Sequence, residues 1–474
     1  MKNGERTSSS RVFLFAPFAF YLVFATIYNF SIPLGRGPDE EHHYRYVLHL
    51  VKLKSLPVLT DAHATRDERT MAIAIHPPLY YLMLTLPYMV LRFLPDGTIQ
   101  HIFRFCSTLM GVITLWLILT MLKEVFPDRP SLPIATVSFA ALLPHFLLLS
   151  SVINNDGLLI LLSTLFLLWS LRLAGNGGRM PDFVRLGILY GLMLNTKASA
   201  LSLAPVGAAV VMWLARRKAI TSDRGACPSW RTLAAGTFVF YATAAVIGGW
   251  WYARFYLMIG RIQPIPHLPQ YEKMLLHSPA EWFTNPLAPM LALRHVAGIM
   301  RSIWGQVDWF LSPAQRDAMA YADNFRDMVW GPTVASQPGL FLLSLWLYRV
   351  FVVLTAWCLI GLVILAVGGK AGQTPLASAQ KHSLVFFAFY FLLLYAALMH
   401  YTLFTHPGGF EGGRYLLPSI GAYATLFTLG LRACLSEEAA DTLSTAVGLL
   451  LVFWNIACVV NLITVLNPLY APGA

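Results

Sequence analysis

VFLFAPFAFYLVFATIYNFSIP (12–33), followed at once by LGRGPDEEHHY (34–44), decides the fold. The first stretch is an unbroken apolar run long enough to cross a bilayer, since a spanning helix needs about 20 such residues. Lys2, Arg6 and Arg11 precede it. The run is longer than the core of a signal peptide and lacks a small-residue cleavage site. It reads as an uncleaved first span with its N-terminus inside, and the acidic, histidine-rich stretch then emerges on the outer side.

The rest of the chain repeats this pattern. Of 474 residues, 57% are hydrophobic, 13% aromatic and 12% charged, and the mean hydropathy is +0.60. Soluble chains carry about 25% charged residues. One membrane domain over 1–474 is therefore expected, rather than a string of soluble domains. The net charge of +11 does not point to nucleic acid, because the basic residues sit in short loops between apolar runs, where cytoplasmic loops keep Lys and Arg. Cys106, Cys227, Cys358, Cys434 and Cys458 form no CxxC pair, so neither a disulfide framework nor a metal knuckle is expected.

Further apolar runs follow at roughly 77–94, 102–122, 131–150, 157–173, 184–196, 199–215, 233–251, 340–366, 383–404, 415–433 and 443–465. The loops KEVFPDR (123–129), RLAGNGGR (172–179), ARRK (215–218) and GGK (368–370) are basic. They alternate with SVINND (151–156), NTK (195–197), WWYAR (250–254) and HPGGFEGGRY (406–415). Placing the basic set inside satisfies the positive-inside rule at every step. Parity then allows only one of 77–94 and 102–122 to cross. Pro77, Pro78 and Pro87 break or kink the former, so it is expected to be a juxtamembrane or re-entrant helix. The fold class is thus an all-α polytopic bundle of about eleven spans, N-terminus inside and C-terminus outside. Loops 34–76 and 252–338 are outer and too long to be mere connectors. Within the first, EEHHYRYVLHLVKLK (40–54) has Tyr44, Val47, Leu48 and Val51 on one face and Arg45, His49 and Lys52 on another, the pattern of a helix lying in the interface plane.

Four outer segments carry chemistry. In GRGPDEEHHY (35–44), Asp39, Glu40 and Glu41 follow Pro38. They read either as an acidic helix start favoured by the dipole or as carboxylates presented to a lipid-borne substrate. In SVINNDGLL (151–159), Asn154, Asn155 and Asp156 read as caps, as functional groups, or as both. In LNTKASA (194–200), Lys197 is either a snorkelling helix end or an ionisable group kept for function. In GGFEGGRYLLP (408–418), the glycines permit close approach to a ligand, and Glu411 and Arg414 bring opposite charges; a plain turn between spans is the alternative. His42, His43, His49, His63 and His76 show no HExxH or His-x-His spacing, so they read as interfacial or solvated residues and no metal ligand is assigned.

PDEEHHYRYV (38–47), HPPLYYLM (76–83), HIFRFCSTLMGVIT (101–114), LPHFLLLSSVINNDGLL (143–159), GLMLNTKASAL (191–201), GGWWYARF (248–255) and GGRYLLP (412–418) occur in this order. As an ordered set over about 35–420, they resemble the GT-C superfamily of membrane glycosyltransferases, in particular bacterial branches related to the protein O-mannosyltransferases and the aminoarabinose transferase of lipid A. The resemblance implies a polyprenyl-phosphate-linked sugar donor, a glycan, lipid or protein acceptor, and inverting transfer outside the inner membrane. It places an essential carboxylate at Asp39 or Glu40 and, in some members, a second at Asp156. This sequence departs from the oligosaccharyltransferase pattern: its second loop reads NND rather than a two-carboxylate motif, which leaves a divalent metal an open question.

The side-chain inventory suits that chemistry. Inverting transfer from a sugar phosphodiester needs one carboxylate to take the acceptor proton, and cations to stabilise the departing phosphate. Asp39 and Glu40 supply the former; Lys197, Arg254 and Arg414 supply the latter, with Asp156 and Glu411 counted among the substrate-binding groups. A transporter or lipid flippase would instead place charges at mid-span and show internal repeats; no repeat is found. A non-catalytic envelope-assembly role is the third reading.

Overall fold

A computed structural model of the chain describes residues 3–57, 75–175, 178–220, 229–260, 339–367, 375–404 and 412–466. Glu411, His63, Cys227 and most of the 252–338 loop lie outside these. The described residues form helices and no strand, as the apolar runs predict. They are α1 (Asn3–Ser31), α2 (Glu40–Leu53), α3 (Leu79–Leu91), α4 (Asp96–Val125), α5 (Ser131–Leu142), α6 (Pro144–Leu149), α7 (Asp156–Gly175), α8 (Met180–Leu194), α9 (Pro205–Ile220), α10 (Trp230–Ala244) and α11 (Trp250–Ile259). After the second long loop come α12 (Gly339–Val367), α13 (Ser378–Phe404), α14 (Ile420–Arg432) and α15 (Glu437–Asn461). Six helices among the described residues are long and apolar enough to cross a membrane. On α12, Val353, Ile360, Val363 and Val367 are exposed, an apolar surface that water would penalise and lipid would not. Helix length does not fix a total of eleven spans, because α3 and α5 have only 13 and 12 residues.

Contacts divide the chain into two compact units: one comprises 1–33, 118–151 and 268–474, and the other 34–117 and 152–267. In the first unit, the run 131–150 proves to be two helices rather than one. Leu143 sits at φ −65°, ψ 115°, outside the helical region, because the residue before a proline is pushed out of it and Pro144 opens α6. The Leu142 carbonyl beside this break accepts from Asn455 Nδ2 at 2.8 Å, and Asn455 Oδ1 accepts from the Tyr28 hydroxyl at 3.2 Å. A buried carbonyl without a partner costs a few kcal/mol, so Asn455 makes the break tolerable. Helices α12 and α14 cross at their closest through two glycines: a Cβ on Gly361 would lie 2.0 Å from the Gly430 carbonyl oxygen, and one on Gly430 would lie 2.4 Å from that of Cys358. Small residues at a crossing let membrane helices pack backbone to backbone.

In the second unit α8 packs on α10, and the run 233–251 is interrupted by a π-helical turn at Ala245–Gly249. The 199–215 run likewise opens as a 3-10 turn, Ala198–Leu203, before α9.

Gly430→Ala is expected to cost on the order of 1–3 kcal/mol through overpacking, read as a lower unfolding midpoint in detergent. Gly448→Ala, whose Cβ would meet nothing within 4 Å, is the near-neutral control.

Candidate active site

The second unit gathers the chemistry around one carboxylate. Glu40, in the first turn of α2, is fully buried. Arg104 on α4 donates to it twice, Nε to Oε1 at 2.7 Å and Nη2 to Oε2 at 2.6 Å. The backbone N–H of Ile153 donates to Oε1 at 3.0 Å, and those of Gly35 and Gly37 donate to Oε2 at 3.1 Å. Gly37 is needed for this closeness, since a Cβ there would meet Val152 at 2.5 Å. Asn154 adds a further tie, its Nδ2 donating to the Pro38 carbonyl at 3.0 Å. The turn 35–39 is thereby fixed against α4 and the 152–156 loop.

What this framework holds is Asp39. It occupies the left-handed backbone region at φ 56°, ψ 13°, and its side chain makes no capping hydrogen bond to α2. Positive φ costs an L-residue roughly 1–2 kcal/mol, though Asp and Asn bear it better than most. Such strain survives only where its surroundings over-determine it, and here those surroundings are the bonds of Glu40 and Asn154.

Asp156 opens α7. Asn154 Oδ1 caps that start by accepting from the Asp156 N–H at 2.8 Å, so capping falls to Asn154. Lys197 Nζ donates to Asp156 Oδ1 at 2.6 Å, both side chains being buried; the lysine does not snorkel. Asn155 Nδ2 donates to the Thr196 carbonyl at 3.2 Å, joining the same two loops again. Asp156 Oδ2 and Asn155 Oδ1 are buried and accept no hydrogen bond from the described residues.

An aromatic cluster lies in the same unit. The Leu79 N–H bonds to the Asn195 carbonyl at 3.0 Å, which seats the start of α3 against the loop bearing Lys197. Tyr81 stacks on Tyr46 at 3.8 Å between centroids, and its hydroxyl lies 2.8 Å from His43 Nδ1. Burial first, then the neighbouring tyrosines and the charges of Asp39 and Asp156, keep the Tyr81 hydroxyl protonated far above the usual tyrosine range. Arg254 on α11 belongs to the same unit. Its guanidinium lies over Trp251 at 5.0 Å and donates through Nη2 to the Pro57 carbonyl at 3.1 Å, while Nη1 is buried and bonds to none of the described residues.

Of the residues expected from the sequence, Asp39, Glu40, Asp156, Lys197 and Arg254 all fall in this unit. Arg414 belongs to the other unit, where it is buried and lies over the Tyr415 ring at 5.2 Å. Sequence reasoning passed over Arg104, His43, Tyr46 and Tyr81. The first-loop histidines read as interfacial or solvated, yet His43 is buried. The buried face of α2 is Glu40, His43, Tyr44, Tyr46, Val47 and Leu50, whereas Leu48 and Val51, expected on it, are only half-buried. Pairing Glu40 with Arg104 turns the helix so that polar groups point inward. The signal that was available is HPPLYYLM, whose paired tyrosines open α3.

Among the described residues, no group of three His, Cys, Asp or Glu is placed to hold a metal ion. Glu40 and Asp156 are each paired with a protein cation.

Residues 75–248 match the family model of dolichyl-phosphate-mannose-protein mannosyltransferases. The matched segment, somewhat over a third of the chain, runs from α3 to the π-helical turn and takes in Tyr81, Arg104, Asp156 and Lys197. The protein O-mannosyltransferases are among the families that the ordered motifs resemble. No curated protein matches the chain significantly. Among solved structures, the chain is similar to the apo oligosaccharyltransferase of Archaeoglobus fulgidus at 12% identity and a TM-score of 0.46, over 95% of this chain and 56% of that one. ArnT from Cupriavidus metallidurans bound to undecaprenyl phosphate is similar at 16% identity and a TM-score of 0.35, over 93% and 77%. The chain thus spans little more than half the length of the archaeal protein.

Arg104→Met is expected to destabilise the protein by about 3–5 kcal/mol, the scale for leaving one buried charge without its partner. The double variant Arg104→Met with Glu40→Gln should recover part of that loss. Unfolding midpoints of the purified variants in micelles give the comparison.

Proposed function

We propose that this chain transfers a sugar from a polyprenyl-phosphate-linked donor to an acceptor hydroxyl, with inversion, in a single displacement on the extracytoplasmic face of the inner membrane. The observation that carries the reading is the backbone at Asp39, held in the left-handed region beside the buried Glu40–Arg104 ion pair. We assign Asp39 as the general base and Glu40 as the tie that fixes it.

A base must be ionised when the acceptor arrives and must then accept its proton in the transition state. Asp39 has a short side chain on a fixed backbone, so its carboxylate has few positions to explore. Lys197 and the Nη1 of Arg254 are the cations in the same unit for the departing phosphate, whose charge grows as the glycosidic bond breaks. Asp156 Oδ2 and Asn155 Oδ1, which accept no hydrogen bond from the described residues, suit sugar hydroxyls, which are hydrogen donors. Arg414 and Glu411 retain their assignment as donor-binding groups. The family match over 75–248 and the alternation of basic loops support the same reaction class and the same face.

Asp39→Asn keeps the size and removes the proton acceptor. Turnover should fall about a hundredfold or more, the usual scale for a lost general base, with donor binding largely kept. Arg414→Ala should weaken donor binding as well as turnover, because a phosphate contact exists before and during the reaction. The assay is transfer of radiolabelled sugar from undecaprenyl-phosphate donors to membrane extract. Wild-type rates in both Asp39→Asn and Glu40→Gln would move the base elsewhere.

The orientation is checked separately. A single cysteine at position 126, in the basic KEVFPDR loop, should resist an impermeant thiol reagent applied to intact cells, and one at position 36 should react. Labelling at 126 from outside would reverse the assigned faces.

A further inference from the structure

Three side chains on two loops share one pattern: each is bonded through one polar atom, while its second accepts nothing from the described residues. Asp156 accepts from Lys197 Nζ through Oδ1, which leaves Oδ2. Asn155 gives its Nδ2 to the Thr196 carbonyl, which leaves Oδ1. Asn195 gives its Nδ2 to the Ile247 carbonyl at 3.2 Å, inside the π-helical turn, and again Oδ1 is left. All three oxygens are buried. Because Asn155 bonds to Thr196 and Asp156 to Lys197, the three residues lie together around the segment 195–197.

Neither carboxamide can turn end for end, since its oxygen would then meet a carbonyl oxygen, lone pair to lone pair. The turn that receives Asn195 is itself tightly seated: a Cβ on Gly248 would lie 2.4 Å from the Gly191 carbonyl oxygen. π-Helical turns are rare and recur at functional sites. A buried acceptor without a hydrogen is costly to the fold, and native proteins hold few of them. Three on two short loops are therefore not explained by stability, and they suit a ligand that brings hydrogens. Among the described residues of these loops, the Ser199 hydroxyl is the one group without a partner that can also donate. Lys197 balances the charge of Asp156, so the set calls for hydrogens rather than for a cation. A carboxylate on the ligand would add lone pairs and a second negative charge beside Asp156, weakly screened in a buried setting. We propose that Asp156 Oδ2, Asn155 Oδ1 and Asn195 Oδ1 form the subsite for the sugar ring of the donor, and that it selects an uncharged sugar over a uronic acid. Asn195 is then a specificity-determining residue. This rests on the reading of the chain as a transferase that uses polyprenyl-phosphate sugars, in which Lys197 serves the phosphate to which that sugar is joined.

The test uses the full chain in lipid vesicles and reads donor affinity by tryptophan fluorescence, which needs no acceptor. The donors are undecaprenyl-phosphoryl glucose, galactose and mannose, their monodeoxy forms, and the matching uronates, in which a carboxylate replaces the primary alcohol. The best neutral donor should bind about tenfold or more tighter than its uronate, and removal of one of its hydroxyls should cost about tenfold, because a buried acceptor is then left unpaired. In Asn195→Ala and Asn155→Ala a penalty of this kind should vanish, as coupling between a side chain and the hydroxyl it meets requires. Their unfolding midpoints should stay close to that of the unaltered chain, since a bonded donor and an unsatisfied acceptor leave together. Equal affinity for the uronate overturns the inference, and so do deoxy penalties that persist in both variants or variants that weaken every donor alike. If a variant does not fold, the comparison of uronate with neutral sugar on the unaltered chain decides alone. Transfer of radiolabelled sugar to membrane extract is read separately. Selective binding without transfer sinks the transferase reading and keeps the subsite, whereas no binding of any donor sinks both.

Discussion

The Glu40 carboxylate takes hydrogen from an arginine side chain and from three backbone N–H groups that belong to two separate loops. Removing two charges from water costs several kcal/mol per ion, and the pair recovers this only if every remaining lone pair is also satisfied. Here they are satisfied, and by groups far apart in sequence: residues 35 and 37 before α2, residue 104 within α4, and residue 153 before α7. The carboxylate therefore does more than neutralise an arginine. It fixes where the turn 35–39 lies with respect to the 152–156 loop, and the positions of Asp39, Asn154 and Asp156 follow from that.

Around this tie Glu40 and Asp156 each hold a buried ion pair. Asp39 stands at the start of α2 without capping it. The strain in its backbone and the ion pair next to it are two sides of one arrangement, because a left-handed aspartate relaxes unless its neighbours are pinned. Tyr46, Tyr81 and His43 form a buried aromatic cluster in the same unit, where burial strengthens the polar contact between His43 and Tyr81.

The helical membrane character was legible in the run 12–33 and its repeats, because the apolar requirement of the bilayer acts residue by residue. Breaks inside the runs were less so. Pro144 was visible, yet what makes its break tolerable is Asn455, more than three hundred residues away. The site divides in the same way. Asp39, Asp156 and Lys197 stood out because charges beside apolar runs are conspicuous. Their grouping did not, since the Asp156–Lys197 contact joins loops forty-one residues apart. Arg104 was hidden by sitting inside a long apolar helix, and His43 by belonging to a stretch that reads as an exposed polar face. In each case the missing information is a tertiary partner, which no local pattern encodes.

The left-handed backbone at Asp39 also constrains how this position can change over time. Glutamate would keep the charge but bears positive φ poorly and reaches too far. Asparagine and glycine fit the backbone but, on the reading of Asp39 as the base, remove the proton acceptor. A descendant that abandoned catalysis while keeping its fold would drift toward those two residues, with Glu40 and Arg104 left in place as architecture. An inert relative would then be recognisable from one letter, the letter preceding an otherwise unchanged acidic pair.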